Sequence, residues 1–265
     1  MDKILELATA RVASLYRQIR ERRIVPEVSA ETIREHLSQR YDGFRSPTSD
    51  QELIDDVATM LGEWNVHVTH PRYFGLFNPS VHPAGVAADL LAAGFNPQLA
   101  VWSHAPASNE IERLTLGWLA EQLGLPSAGT AASFTTGGAE ANQSAVVTAL
   151  SAMRPEFIRA GLFGLERRPV MYVSEESHHS FEKTAHTAGL GRDAVRYVPV
   201  DASLRMDARA LNQLIDDDRA AGRDPFFVGA TAGTTGGGIV DPLPSIAEVC
   251  RQQELWFHVD AAWGG

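Results

Sequence analysis

Lysine is nearly missing from this chain: of 23 basic residues only two, Lys3 and Lys183, are lysines, and the rest are arginines. Cysteine is scarcer still. A single thiol, Cys250, excludes an internal disulfide framework and fits a reducing compartment. No apolar run reaches the ~20 residues needed to cross a bilayer, and the opening MDKILELATARVASLYRQ carries acids and no apolar core of a secretion signal. The expected location is the cytoplasm. Positive charge is also in deficit, 23 Lys+Arg against 33 Asp+Glu for a net charge of −10, which disfavours nucleic acid or an anionic membrane as partner and favours a small molecule. There is no G-x-G-x-x-G, no P-loop, no HExxH and no cysteine pair, so neither a dinucleotide fingerprint nor a zinc site is expected.

What is present is material for a sizeable core: 265 residues, 44% apolar and 21% charged, enough for one large domain or one and a half. Leu5, Ala8, Val12, Leu15 and Ile19 recur at three- and four-residue spacing and predict an amphipathic helix over 3–21. A short helix is expected at 30–39. Thr48 with Gln51 and Ser49 with Glu52 both have capping-box spacing at the head of a third helix through about His67. HPRYFGLFNPSVHP, residues 70–83, breaks the periodicity with prolines and aromatics and reads as a loop.

From residue 84 the pattern alternates. Helices are expected at 84–94, at 108–123 with Ser108 as cap, and at 139–152, 178–187, 207–221 and 243–253. Strands are expected at 132–136, 169–174, 194–200, 225–232 and 255–260. Apolar strands between helices mean βαβ units, an α/β fold with a mostly parallel sheet covered by helices on both faces. The division expected is an N-terminal helical segment and loop over 1–83, then a large domain over 84–265. Ligands of such sheets sit beyond the carboxyl ends of the strands.

Four strand ends carry chemistry. TTGGAEANQ puts two glycines where a helix begins, a seat for phosphate on free backbone N–H groups, although alone it reads as a tight turn at positive φ. SEESHHSFEK opens a helix on His178 and His179, which suit acid–base work, stacking on a planar ligand, or exposure to solvent. GTTGGGIVDP sets the hydroxyls of Thr234 and Thr235 beside three glycines. WFHVDAAWGG ends an apolar run on Asp260, a carboxylate that is costly to desolvate unless it meets a cation or donors. An anion cradle, an aromatic ring, hydroxyls and a buried carboxylate together describe one site for a phosphorylated ligand with a protonated ring nitrogen, and pyridoxal 5′-phosphate is such a ligand.

TTGGAEAN, SEESHHSFEK, ATAGTTGGGIVDPL and HVDAAWGG, in this order, resemble the group II pyridoxal-phosphate-dependent decarboxylases, which include glutamate and aromatic amino acid decarboxylases; HPRYFGLFNP and SNEIE extend the likeness to about residue 50. The resemblance implies an aminotransferase-like fold type I subunit that decarboxylates an amino acid as a homodimer, its N-terminal helices wrapped on the partner. Gly137, Gly138 and Ala139 would hold the phosphate, assisted by Thr234 or Thr235. His178, rather than His179, would stack on the pyridine ring, Asp260 would pair with its nitrogen, and Ala262 would pack under it. Phe77, Asn78 and Pro79 in the 70–83 loop would face the substrate.

One part is expected to be missing. The family holds the cofactor as a Schiff base on a lysine several dozen residues past the HVDAA segment, whereas this sequence stops five residues after Asp260. Lys183 lies one turn past the stacking histidine and Lys3 in the first helix, so neither stands in for it. The expectation is the N-terminal portion of a decarboxylase, without the C-terminal small domain and inactive alone. Two alternatives share these residues: another fold type I lyase resembling sphingosine-phosphate lyase or cysteine desulfurase, and a non-catalytic subunit pairing with a full-length homologue.

Overall fold

The computed structural model describes residues 2–75, 79–126 and 128–265. The chain separates into two compact units, 1–109 and 110–265.

The first unit is helical. α1 (Asp2–Gln18) packs on α3 (Asp50–Trp64), with α2 (Ala30–Tyr41) between them in sequence and α4 (Pro83–Phe95) following. Of the two capping boxes legible in sequence, α3 uses the second: the Ser49 hydroxyl accepts from Glu52 N, and the Glu52 carboxylate accepts from Ser49 N. Arg11 reaches Asp55 at 2.8 Å, and Arg22 donates to Gly62 O at 2.8 Å, so α1 and the turn after it are pinned to α3 by polar contacts as well as by half-buried Leu7 and Leu15. Leu5 and Val12, on the stripe expected to seek a partner, stay exposed. α5 (Pro106–Gln122), which starts in the first unit and continues into the second, begins two residues before the predicted cap Ser108, because Pro106 with its fixed φ suits the first turn of a helix. Among the described residues, no helix is long and apolar enough to cross a membrane.

The second unit is an α/β layer structure. Four parallel strands, β1 (Pro169–Ser174), β2 (Val195–Val198), β3 (Asp224–Thr231) and β4 (Trp256–Asp260), pair in the order β2-β1-β3-β4. Alternate residues of β1 enter two cores. Val170 and Tyr172 pack with Leu211 and Ile215 of α9 (Ala208–Ala220) and with Ile246 and Cys250 of α10 (Leu243–Gln252). Met171 and Val173 pack with Val146, Ala149 and Leu150 of α6 (Gly138–Met153) and with Phe181 and Ala185 of α8 (Ser180–Thr187). Helices therefore cover both faces of the sheet, as the continuous apolar strands require. Burial pushes the Cys250 thiol up to about 12, so it is a packing residue rather than a nucleophile. Between α6 and β1 runs a short helix, α7 (Pro155–Ala160).

The strand expected at 132–136 does not form. AASFTT carries no ladder, and Phe134 within it is 57% exposed. A strand needs a neighbour to accept its backbone bonds, and its small, polar residues bury too little to compensate. The glycine-rich turn is therefore approached by an irregular extended segment.

Candidate active site

The carboxyl ends of β1, β3 and β4 and the first turn of α6 enclose a cavity of about 190 Å³, the space of roughly six waters at ~30 Å³ each. Gly138, Ala139, Asn142, His178, Thr231, Gly233, Thr235, Asp260, Ala262 and Trp263 line it. A larger cavity, of about 840 Å³, opens at the amino ends of the strands, where Arg196 and Arg223 are already engaged by Asp218. The smaller one is where the fold places ligands.

Its floor is the start of α6. The first backbone bonds of that helix run from Glu140 N and Ala141 N to Gly137 O, so the amides of Gly138 and Ala139 stand ahead of them at the positive end of the helix. The positive φ that a tight turn at Gly137 would need is not used: Gly137 is extended, φ 163° and ψ 175°. The glycine that matters sterically is Gly138, where an added Cβ would lie 2.7 Å from the Ala262 Cβ. Glu140, one turn in, folds back so that one carboxylate oxygen accepts from Thr136 N at 2.7 Å and Thr136 Oγ1 at 2.6 Å; these bonds hold its carboxyl below the usual range.

This crowding makes a prediction. Gly138→Ala forces α6 and the chain at Ala262 apart, and overpacking of this kind costs about 1–3 kcal/mol. The double substitution with Ala262→Gly should recover most of it in denaturant unfolding. Equal stability of Gly138→Ala and the parent would remove steric need as the reason for glycine there.

The walls hold the titratable groups. Asp260, 8% exposed, accepts from Asn142 Nδ2 at 2.8 Å and from Ala262 N at 3.1 Å. Among the described residues no arginine or lysine forms an ion pair with it. His178 lies just before α8 rather than inside it, and its Nδ1 accepts from Ser180 N at 3.2 Å, which fixes the ring on the cavity wall. Burial, with His179 beside it at a ring separation of 4.2 Å, lowers its imidazole below the ordinary value against the opposing pull of Asp260. The neutral form of the ring is favoured.

The two threonines part company. Thr235 lines the cavity, whereas Thr234 is buried and its hydroxyl accepts from Ile239 N at 3.1 Å, closing its own turn. Lys183 is exposed on α8 and Lys3 is exposed on α1; neither lines the cavity. Pro79 is exposed in the loop ahead of α4, while Phe77 and Asn78 lie outside the described residues. Sequence reasoning passed over Asn142, Ser180 and His258. Asn142 donates to both Asp260 and Ser180 Oγ, and His258 Nε2 is 2.8 Å from Asn142 Oδ1. The signal for Asn142 was legible: it stands four, seven and eight residues before Val146, Ala149 and Leu150, a polar residue on the buried stripe of a helix.

The donor set fits a phosphorylated pyridine: backbone amides and Thr235 for the anion, a neutral histidine ring for a planar face, and, for a protonated ring nitrogen, a buried carboxylate with donors but no cation among the described residues. Among the described residues no group of histidine, cysteine and acidic side chains is placed to hold a metal. Comparison with known proteins points the same way. The family described as "Pyridoxal-dependent decarboxylase conserved domain" matches residues 35–265. Tryptophan decarboxylase 2 of Oryza sativa subsp. japonica is 31% identical over 258 residues, covering 96% of this chain and 51% of the relative. Glutamate decarboxylase of Drosophila melanogaster is 34% identical over 215 residues, 81% of this chain and 42% of the relative. The crystal structure of mouse CSAD in apo form superposes with a TM-score of 0.89 at 30% identity, covering 99% of this chain and 55% of that one. The chain thus spans about half the length of the relatives it matches.

Proposed function

The chain belongs to the pyridoxal-dependent decarboxylase family, and from that premise we propose that it forms the cofactor-binding part of an enzyme that removes the α-carboxyl group of an amino acid as CO₂. The observation that carries this reading is Asp260, a buried carboxylate at the end of β4 with two donors and, among the described residues, no cation. When bound, pyridoxal phosphate supplies a protonated ring that accepts the electron pair left as CO₂ departs. The chain's own residues do the rest. Asp260 keeps a proton on the ring nitrogen by favouring its charged form. The amides of Gly138 and Ala139, with Thr235, bind the phosphate. His178, neutral and fixed by Ser180 N, offers a flat face to the ring, and Ala262 against Gly138 sets the depth of the seat.

The activity proposed is that of a protein of the relatives' length, of which this chain spans about half. The test is CO₂ release from a panel of acidic and aromatic amino acids by that longer protein with pyridoxal phosphate. Turnover of any of them supports the reading; binding of the cofactor without release of CO₂ from any would overturn it.

We also infer a homodimer in the cytoplasm. Leu91 and Phe95 on α4 are 58% and 81% exposed, and Ile111, Leu114 and Trp118 on α5 are exposed as well. On each helix, exposed apolar side chains of this size favour a protein partner. Light scattering is expected to give twice the mass of one chain, and a monodisperse monomer would contradict the assembly.

A further inference from the structure

Asp260 does not hold its own position. Its Oδ2 accepts from Asn142 Nδ2 at 2.8 Å, the second proton of that amide goes to Ser180 Oγ at 3.0 Å, and Asn142 Oδ1 lies 2.8 Å from His258 Nε2. Only one assignment of these atoms is self-consistent. An amide oxygen only accepts, so His258 Nε2 carries a hydrogen, and turning the amide over would set its oxygen against the Asp260 carboxylate. Every polar atom of the Asn142 side chain is then used, on a residue 2% exposed. The imidazole of His258 is in turn clamped by carbon: it stacks on Phe227 at 5.5 Å and meets Phe181 edge-on at 6.2 Å. Burial lowers its protonation below the ordinary range, so it is a neutral donor rather than a competing cation.

We propose that Asn142 is the positioning residue of this site: oriented by His258 and Ser180, its amide fixes the Asp260 carboxylate so that an oxygen is presented to the ring nitrogen of the bound cofactor. The inference rests on the cofactor reading above and goes beyond it by naming which residues set the carboxylate. Asn142 itself also lines the cavity. A purely structural role, fastening α6 to β4, would change stability alone; a positioning role changes how the ring is held.

The probe is pyridoxine 5′-phosphate, which has the ring nitrogen and the phosphate but no aldehyde, and so binds without a lysine. In Asn142→Leu its affinity should fall about tenfold or more, the range one charge-assisted hydrogen bond carries, and the ultraviolet spectrum of the bound ring should move toward the unprotonated form. Phenyl phosphate, which tests the anion seat alone, should bind the parent and the variant equally. Equal affinity and an unshifted spectrum in Asn142→Leu would overturn the inference while leaving the cofactor reading intact. Failure of the parent protein to bind pyridoxine 5′-phosphate, with phenyl phosphate still bound, would overturn both. Should the variant not fold, nitrogen-15 shifts of His258 in the parent decide: a protonated Nε2 with an unprotonated Nδ1 is expected, and an unprotonated Nε2 would break the chain of donors and sink the proposal.

Discussion

Asp260→Asn is expected to lower the rate of decarboxylation by the longer protein about 10²- to 10⁴-fold, the range in which acid–base and preorganised electrostatic contributions fall. The substitution keeps shape and removes charge. It also has a cost in stability that sequence alone does not suggest. As a simple cap on the turn after β4, asparagine would serve about as well as aspartate, but Asp260 has two donors to satisfy, Ala262 N and Asn142 Nδ2, through two oxygens. Asparagine has one. Its amide nitrogen would face the amide nitrogen of Asn142, and a buried donor left unpaired costs about 1–3 kcal/mol. The two effects separate in the exchanged pair Asn142→Asp with Asp260→Asn. That pair restores complementarity between the side chains, so the melting temperature should recover, while the charge now sits on α6, away from the ring nitrogen, so the rate should not. Recovery of both would mean that any carboxylate in the cavity suffices; a near-parental rate in Asp260→Asn alone would remove Asp260 from the chemistry.

Much of the second unit was legible because its periodicities are unambiguous. The strand at 169–174 falls where PVMYVS places it, and the helices predicted at 139–152, 207–221 and 243–253 agree with α6, α9 and α10 to within a residue or so at each end. The exceptions have local causes. AASFTT has the composition of a weak strand but no neighbour to pair with, and a sequence pattern carries no information about pairing. Ser108 has capping chemistry, but Pro106 had already started the helix. At the site, residues beside glycines at strand ends announced themselves, since the fold puts ligands there. The Asn142 network did not, because Asn142 and Asp260 are 118 residues apart and neither motif names the other as partner. Thr234 and Thr235 were indistinguishable in sequence for a different reason: which hydroxyl faces the cavity depends on the turn that Thr234 closes with Ile239.

Asp218→Ala is expected to be the most destabilising single substitution considered, and the reason lies on the sheet face away from α6. Asp218, on α9 and 6% exposed, gathers three donors: Tyr172 OH at 2.9 Å from β1, Arg196 Nε at 3.1 Å from β2, and Arg223 just ahead of β3. One carboxylate thus ties a helix to two strands and to the turn that leads into a third. Removing it leaves a buried hydroxyl and a guanidinium that is only 24% exposed without their acceptor, and breaking a buried pair from one side costs about 3–5 kcal/mol. Arg223 is 42% exposed and contributes less, because water replaces its partner. Set against a typical total of about 5–15 kcal/mol, the loss is a large share of what holds a domain together. Tyr172→Phe removes one donor and should cost less, and it should also change the dependence on pH. Burial first, and the bond to Asp218 second, raise the Tyr172 hydroxyl above its ordinary value of 10. The unfolded chain therefore ionises Tyr172 first as pH climbs, and this residue's contribution is complete below about pH 10 and declines above it. Unfolding followed in denaturant from pH 8 to pH 11 should show that decline in the parent and a shallower one in Tyr172→Phe. Parallel curves would mean that Tyr172 is no better shielded in the folded state than out of it, and the ranking of Asp218 as the principal tie between α9 and the sheet would fall with that result.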